Sequence, residues 1–243
     1  MRRTLLVTLA ALAALLLTFA VSASAADPSV QLSASMSPTN GGSLAAPKNA
    51  KFKTQFTLNA DPRVTVDEIT YFLPQNLRLD GTGFSTCTVA QINANGVRSC
   101  APTSQVGKGS ATLLLGPLPL TRIAFKIKVF VAAANVVSLA LQSDAFSLAT
   151  RGIISTAGGT FGQKIVIDVP APLQQPQTGV YSYLTAMTLE AGAANPDETA
   201  FFASLTGCPE DHLHRFGVRL GFVPNPNPPA VASADAVSSS KCS

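Results

Sequence analysis

His212 and His214 are the only imidazoles in this 243-residue chain, and they stand two apart in Glu210-Asp211-His212-Leu213-His214. On a strand, residues i and i+2 point the same way, so such a pair can chelate a metal with Asp211 or Glu210 beside it. A third ligand from elsewhere is then required. The same parity continues through Phe216, Val218, Leu220 and Phe222. That phasing favours a plainer reading, in which both histidines are the solvent-edge start of a core-facing row. His212 and His214 are therefore carried as metal candidates only. No metal, cofactor or catalytic residue is assigned from the sequence.

Cys87, Cys100, Cys208 and Cys242 are the remaining soft ligands. No two of them have C-x2-C spacing, which argues against a zinc site. An even number of cysteines in an exported chain reads as disulfides. Four cysteines allow three pairings, and spacing alone does not choose. The local set, Cys87–Cys100 and Cys208–Cys242, is preferred. In the chain-entropy picture these two loops stabilise by about 3 and about 4 kcal/mol.

Other chemistry is missing its signature. There is no Gly-x-Ser-x-Gly elbow, no Walker loop and no dinucleotide fingerprint. Gly107-Lys108-Gly109-Ser110 has the look of a phosphate cradle, but strand-like Ala-Thr-Leu-Leu-Leu follows it, and a phosphate loop must open a helix. Tight strand geometry or a bulge explains the glycines better. Glycosidases need two opposed carboxylates; Asp61, Asp80 and Asp197 sit beside Pro or Gly and read as turn residues. Tryptophan is absent and tyrosine scarce, which weakens a sugar-binding platform.

The compartment is read from the N-terminus. Arg2 and Arg3 precede an apolar stretch from Leu5 to Val21, and Ala23-Ser24-Ala25 supplies small residues where a signal peptidase cuts. The expectation is a signal peptide over 1–25 and a mature chain of about 218 residues. Losing two arginines lowers the net charge from +4 to about +2. Without basic runs, that charge makes no case for nucleic acid or for an anionic membrane. The longest later apolar run, Val129 to Leu141, is too short to span a bilayer as a helix.

The positioning elements are strands. Charged residues are only 12% of the chain, against an average of about 25%, and 17 Gly and 17 Pro punctuate it too often for long helices. Period-two alternation marks Val30–Ala34, Phe52–Leu58, Val64–Leu73 and Arg122–Val131. Val136–Leu141 should pair back across Ala134-Asn135. Phe146–Ser155, Lys164–Val169, Tyr183–Glu190, Thr199–Leu205 and Leu213–Val223 are further strands. One short helical turn is expected from Cys87 to Asn93, capped by Ser85 or Thr86 and ended by Asn95-Gly96. Pro224–Pro229 reads as a loop tip before a last weak strand near Val231–Val237.

Leu73-Pro74, Phe84-Ser85-Thr86-Cys87, Ser99-Cys100-Ala101-Pro102 and Val106-Gly107-Lys108-Gly109-Ser110-Ala111 carry a resemblance. With Ile167-Asp168-Val169-Pro170, Thr206-Gly207-Cys208-Pro209 and a final cysteine, the chain resembles a loose group of uncharacterised secreted bacterial β-sandwich proteins with paired cysteines. The resemblance spans most of the chain after the leader. It implies an immunoglobulin-like or related β architecture, supports the local cysteine pairing and carries over no catalytic residue. This chain has Cys100-Ala101-Pro102 where the group more often has Cys-Pro.

The expected fold is thus an all-β antiparallel sandwich, immunoglobulin-like or jelly-roll-like, over 26–243, with a subdomain boundary near 116–121 left open. The expected role is a secreted, non-enzymatic binding, adhesion or cell-envelope module. Its expected partner is an extracellular protein or envelope component. The alternative is a secreted hydrolase or metal-dependent enzyme using His212 and His214.

Overall fold

Alternation of dry and wet residues builds nearly every element. The computed structural model describes residues 26–61, 63–144, 146–223 and 231–243. The leader at 1–25 and the proline-rich tip at 224–229 lie outside the described residues. In β7 (Thr121–Ala133), Phe125, Ile127, Val129 and Val131 are buried while Arg122, Lys126 and Lys128 are exposed. In β3 (Lys51–Asp61), Phe52, Thr54, Phe56 and Leu58 are buried while Lys51, Lys53, Gln55 and Asn59 are exposed. In β13 (Leu213–Val223), the buried row is His214, Phe216, Val218, Leu220 and Phe222. Each strand therefore has one face that must leave water.

Eleven strands form one antiparallel sheet. It starts with β1 (Ala26–Ser37), β3, β11 (Ser182–Ala191), β6 (Gln105–Leu115) and β7. It continues through β8 (Val136–Gln142), β9 (Ser147–Gly158), β10 (Phe161–Asp168), β4 (Thr65–Pro74), β13 and β14 (Ser233–Lys241). The first and last strands, β1 and β14, come to lie side by side. The sheet thus curls into a near-closed barrel with its dry face inside. A second sheet of three short strands joins β2 (Lys48–Asn49), β12 (Ala203–Leu205) and β5 (Leu77–Leu79).

This differs from the two-layer sandwich expected above. Alternation says which face is dry, but not whether that face meets a second sheet or itself. In the segment near 116–121, left open as a subdomain boundary or an ordinary crossover, residues 116–120 connect β6 to β7. The barrel is also the reverse of an outer-membrane barrel, which faces apolar residues outward and polar ones inward. Here the outward faces of β3 and β7 carry Lys51, Lys53, Lys126 and Lys128. No helix among the described residues is long and apolar enough to cross a membrane.

Registers place two different caps at opposite ends. Leu213 pairs with Lys241, and β4 reaches Pro74 at the same end, next to β5. The small sheet closes this end with buried Leu77, Leu79, Ala203 and Leu205. At the other end, Asp168 of β10 and Ser182 of β11 flank a four-residue helix, Ala171–Gln174, which buries Leu173. Beneath Leu173 the core keeps a cavity of about 50 Å³. A void of that size costs about 1 kcal/mol in lost packing.

The expected helical turn forms as Val89–Asn95; it is α1, and Ala171–Gln174 is α2. Its cap is Thr88, whose side chain accepts from Gln91 N at 3.2 Å. Ser85 instead hydrogen-bonds Thr103 across the loop at 2.8 Å. Gly96 ends the helix at φ 71°, donating to the Ile92 carbonyl at 2.7 Å. The Cys87–Cys100 disulfide and Ile92 cover Phe130, Ala140 and Ala149 on the outside of the barrel.

Within β6, Gly109 leaves no room for a side chain, because a Cβ there would overlap the Thr188 carbonyl. A register shift falls between Gln105 and Gly107. Strand packing, not a phosphate, accounts for this glycine pair.

Phe125 sits at 2% exposure on the inner face and meets Phe146 edge-on at 5.2 Å between ring centroids. Phe125→Ala is expected to cost about 3–5 kcal/mol in chemical denaturation. A loss under about 1 kcal/mol would show that this row is not core.

Candidate functional site

Four chain segments converge where the barrel ends meet at the small-sheet cap. They are the loop after β1 at Thr39, the segment Gly207–Cys208, the start of β13 and the residues after β14. β13 and β14 pair in register, so Cys242 arrives beside residues 212–214. Cys242 N donates to the His212 carbonyl at 2.8 Å, and Ser243 N donates to the Thr39 carbonyl at 3.4 Å. The hydroxyls of Thr39 and Ser243 are 3.1 Å apart. Gly41 packs directly on Gly207, where a Cβ would overlap the Gly207 carbonyl carbon. This close approach brings the Thr39 loop and the Cys208 segment to one place.

At that place Cys208, His214 and Cys242 offer two sulfurs and a ring nitrogen, all within 4.8 Å of one another. Cys208 and Cys242 are joined as a disulfide. The His214 side chain is fully buried. Its Nε2 lies 3.3 Å from the Thr39 carbonyl, while Nδ1 is buried with no partner. A carbonyl can only accept, so Nε2 carries the proton and Nδ1 keeps a lone pair. Fixing the tautomer through a backbone carbonyl is how many metal-binding histidines are oriented. Burial pushes the His214 pKa below the usual imidazole range, and the Thr39 hydrogen bond opposes this in part. The neutral ring, the form that can ligate a metal, is therefore favoured.

A polar surface cleft of about 520 Å³ adjoins the cluster. Asn76, Cys208, Glu210, Asp211 and Arg215 are among its walls. Arg215 forms an exposed ion pair with Asp211. Cys208 is half-buried and lines the cleft, whereas Cys242 is buried.

The two histidines separate. His214 is the second residue of β13 and points inward, as its parity with Phe216 requires. It is not at a solvent edge. His212 precedes the strand in a left-handed turn at φ 56°, exposed, with its N–H on the Pro209 carbonyl at 3.0 Å. The i, i+2 rule holds only inside a strand, so the His-x-His chelate does not form. His212 contributes only its carbonyl to the cluster.

The missing C-x2-C spacing argues against a metal and leaves the cysteines as cross-links alone. Topology supplies what spacing does not, since the β13–β14 ladder closes the gap between His214 and Cys242. The expectation of a non-enzymatic chain is corrected accordingly. A buried imidazole within 4.8 Å of two sulfurs is a candidate metal-binding triad, and it weighs against a flat exclusion of catalysis.

No known protein family, curated protein or solved structure matches this chain.

The lowered His214 pKa has a consequence for the disulfide-bonded protein. The unfolded chain takes up the imidazole proton near pH 6.5, whereas the folded chain resists it. The unfolded state then binds more protons. Stability is full above about pH 6.5 and falls as pH drops from there toward the lower folded value. His214→Gln should flatten that segment of a plot of stability against pH, measured by urea unfolding with chelator present. An unchanged slope would remove His214 as the source.

Proposed function

We propose that this chain is an exported β-barrel protein whose chemistry is a thiol-gated metal site at Cys208, His214 and Cys242. The observation that carries this reading is the cluster itself: a fully buried His214 ring that has an unpartnered Nδ1 and brings a ring nitrogen within 4.8 Å of both sulfurs. A disulfide offers no thiolates, so the metal and the cross-link are alternative states of one sulfur pair. A dithiol reductant converts the disulfide to two thiols and is itself oxidised to a disulfide. Metal binding then releases both thiol protons. Two thiolates and one imidazole suit zinc or copper(I).

Three protein ligands leave a fourth position open, which is the layout of catalytic rather than structural zinc. The acids and Arg215 in the adjoining cleft fit a metal-assisted hydrolysis at that position. This revises the alternative expected above: His214 stays, His212 leaves, and the two cysteines enter. Export is part of the proposal. It rests on the leader sequence, and two disulfides among the described residues support an oxidising compartment. The resemblance to secreted bacterial proteins rests on residue motifs alone.

Anaerobic titration with cobalt(II) or zinc tests the site. Protein reduced with a dithiol and freed of it should take up one metal ion, with thiolate-to-cobalt absorption. Oxidised protein should take up none at this site. His214→Gln should weaken binding about 10- to 100-fold, and Cys208→Ser should lose most of it. Absence of uptake after verified reduction, or full affinity in His214→Gln, would reject the site.

A further inference from the structure

The opposite end of the barrel has a different character. The cavity under Leu173 is lined by Val66, Leu113, Ile127, Leu139, Ile167 and other aliphatic side chains. A second concavity, of about 410 Å³, opens on the outside at the same end. Its apolar walls include Leu115, Ile123, Phe146, Pro176 and Val180.

The two spaces share strands. On β6, Leu113 lines the cavity and Leu115 the outer cleft, two residues apart on one face. On β7, Ile127 lines the cavity and Ile123 the cleft, with Phe125 between them on the same row. Four residues of strand span about 13 Å. An inward row of Ile123, Phe125 and Ile127 thus leads from the barrel mouth to the void, past the Phe125–Phe146 contact.

The segment from Pro170 to Tyr181 crosses this mouth. Leu173 faces the cavity and Pro176 and Val180 face the cleft. It is held by Gln174 Nε2 donating to the Val169 carbonyl at 2.7 Å, by Ser182 Oγ donating to the Leu173 carbonyl, and at its far end by Gly116 N donating to the Tyr181 carbonyl at 2.9 Å. Leu118, on the β6–β7 turn next to the cleft, is 78% exposed.

We infer that this mouth binds a single alkyl or alkenyl chain, which lies in the outer cleft and threads past Phe125 into the void, displacing Leu173. Mouths of β-barrels are common sites for such ligands. The void is small and the row of Ile123, Phe125 and Ile127 between the two spaces is apolar, which fits one unbranched chain rather than a ring system or a peptide. Among the described residues, Asp168 is the single charged one lining either space, and no cation lines them. The protein therefore holds the chain and leaves the polar head in water. This inference is independent of the sulfur cluster at the other end.

The test is fluorescence titration of the full protein with cis-parinaric acid, followed by displacement with 1-dodecanol and with dodecanoate. Saturable one-to-one binding is expected, with the alcohol displacing at least as well as the acid. Ala111→Leu, which fills the void, should weaken binding about tenfold while holding the melting temperature. Leu173→Ala, which enlarges the void, should tighten binding. Lack of saturable binding overturns the inference. So does equal affinity in both variants, which would mean adsorption to the outer surface. Displacement by dodecanoate alone would also overturn it, because the head group would then be the part recognised.

Discussion

The structure depends on how a sheet with two free edges is made to close. Ten of the joins between neighbouring strands are ladders of backbone hydrogen bonds. The last join, between β1 and β14, is different. At the small-sheet end it is made by the Thr39 carbonyl, which meets both His214 Nε2 and Ser243 N, and the Cys208–Cys242 disulfide lies beside it, tying the segment before β13 to the end of β14. An open edge is a template for unwanted pairing, and closure removes it. The candidate site is therefore not an addition to the fold. It sits at the seam of the barrel, and His214 belongs both to the closure and to the proposed site.

Strand identity was legible because burial in this chain follows parity closely. Ile127 and Lys128 could be assigned to opposite faces from the sequence, and they lie there. Closure was not legible. Whether Phe125 faces a second sheet or the inside of the same sheet depends on the sum of twist over eleven strands, and no local pattern encodes that. The start of α1 shifted for a local reason. Ser85, Thr86 and Thr88 are all competent caps, and Ser85 is occupied by Thr103.

The site was legible only in part. His214 could be placed facing inward from its phase with Phe216 and Phe222. The difference between His212 and His214 turns on where the strand begins, one residue between them, which is the least predictable property of a strand. The meeting of Cys242 with His214 needed the β13–β14 register. That register is carried by a ladder that includes the Arg219–Asp235 ion pair, 2.8 Å from Nε to Oδ1. No spacing rule sees across such a hairpin.

Seam closure alone does not explain His214. A disulfide needs no imidazole beside it, and a leucine in the same row would continue the apolar face of Phe216 and Val218. The buried ring instead leaves Nδ1 without a partner, and an unsatisfied buried polar atom costs about 1–3 kcal/mol. The Thr39 carbonyl satisfies one nitrogen and, by fixing the proton there, guarantees that the other stays a bare acceptor. Neither sulfur of a disulfide can offset that cost with a strong hydrogen bond. A cation held jointly with two thiolates can. The energetic defect beside the closed seam is thus the physical argument for the proposed second state, reduced and metal-holding.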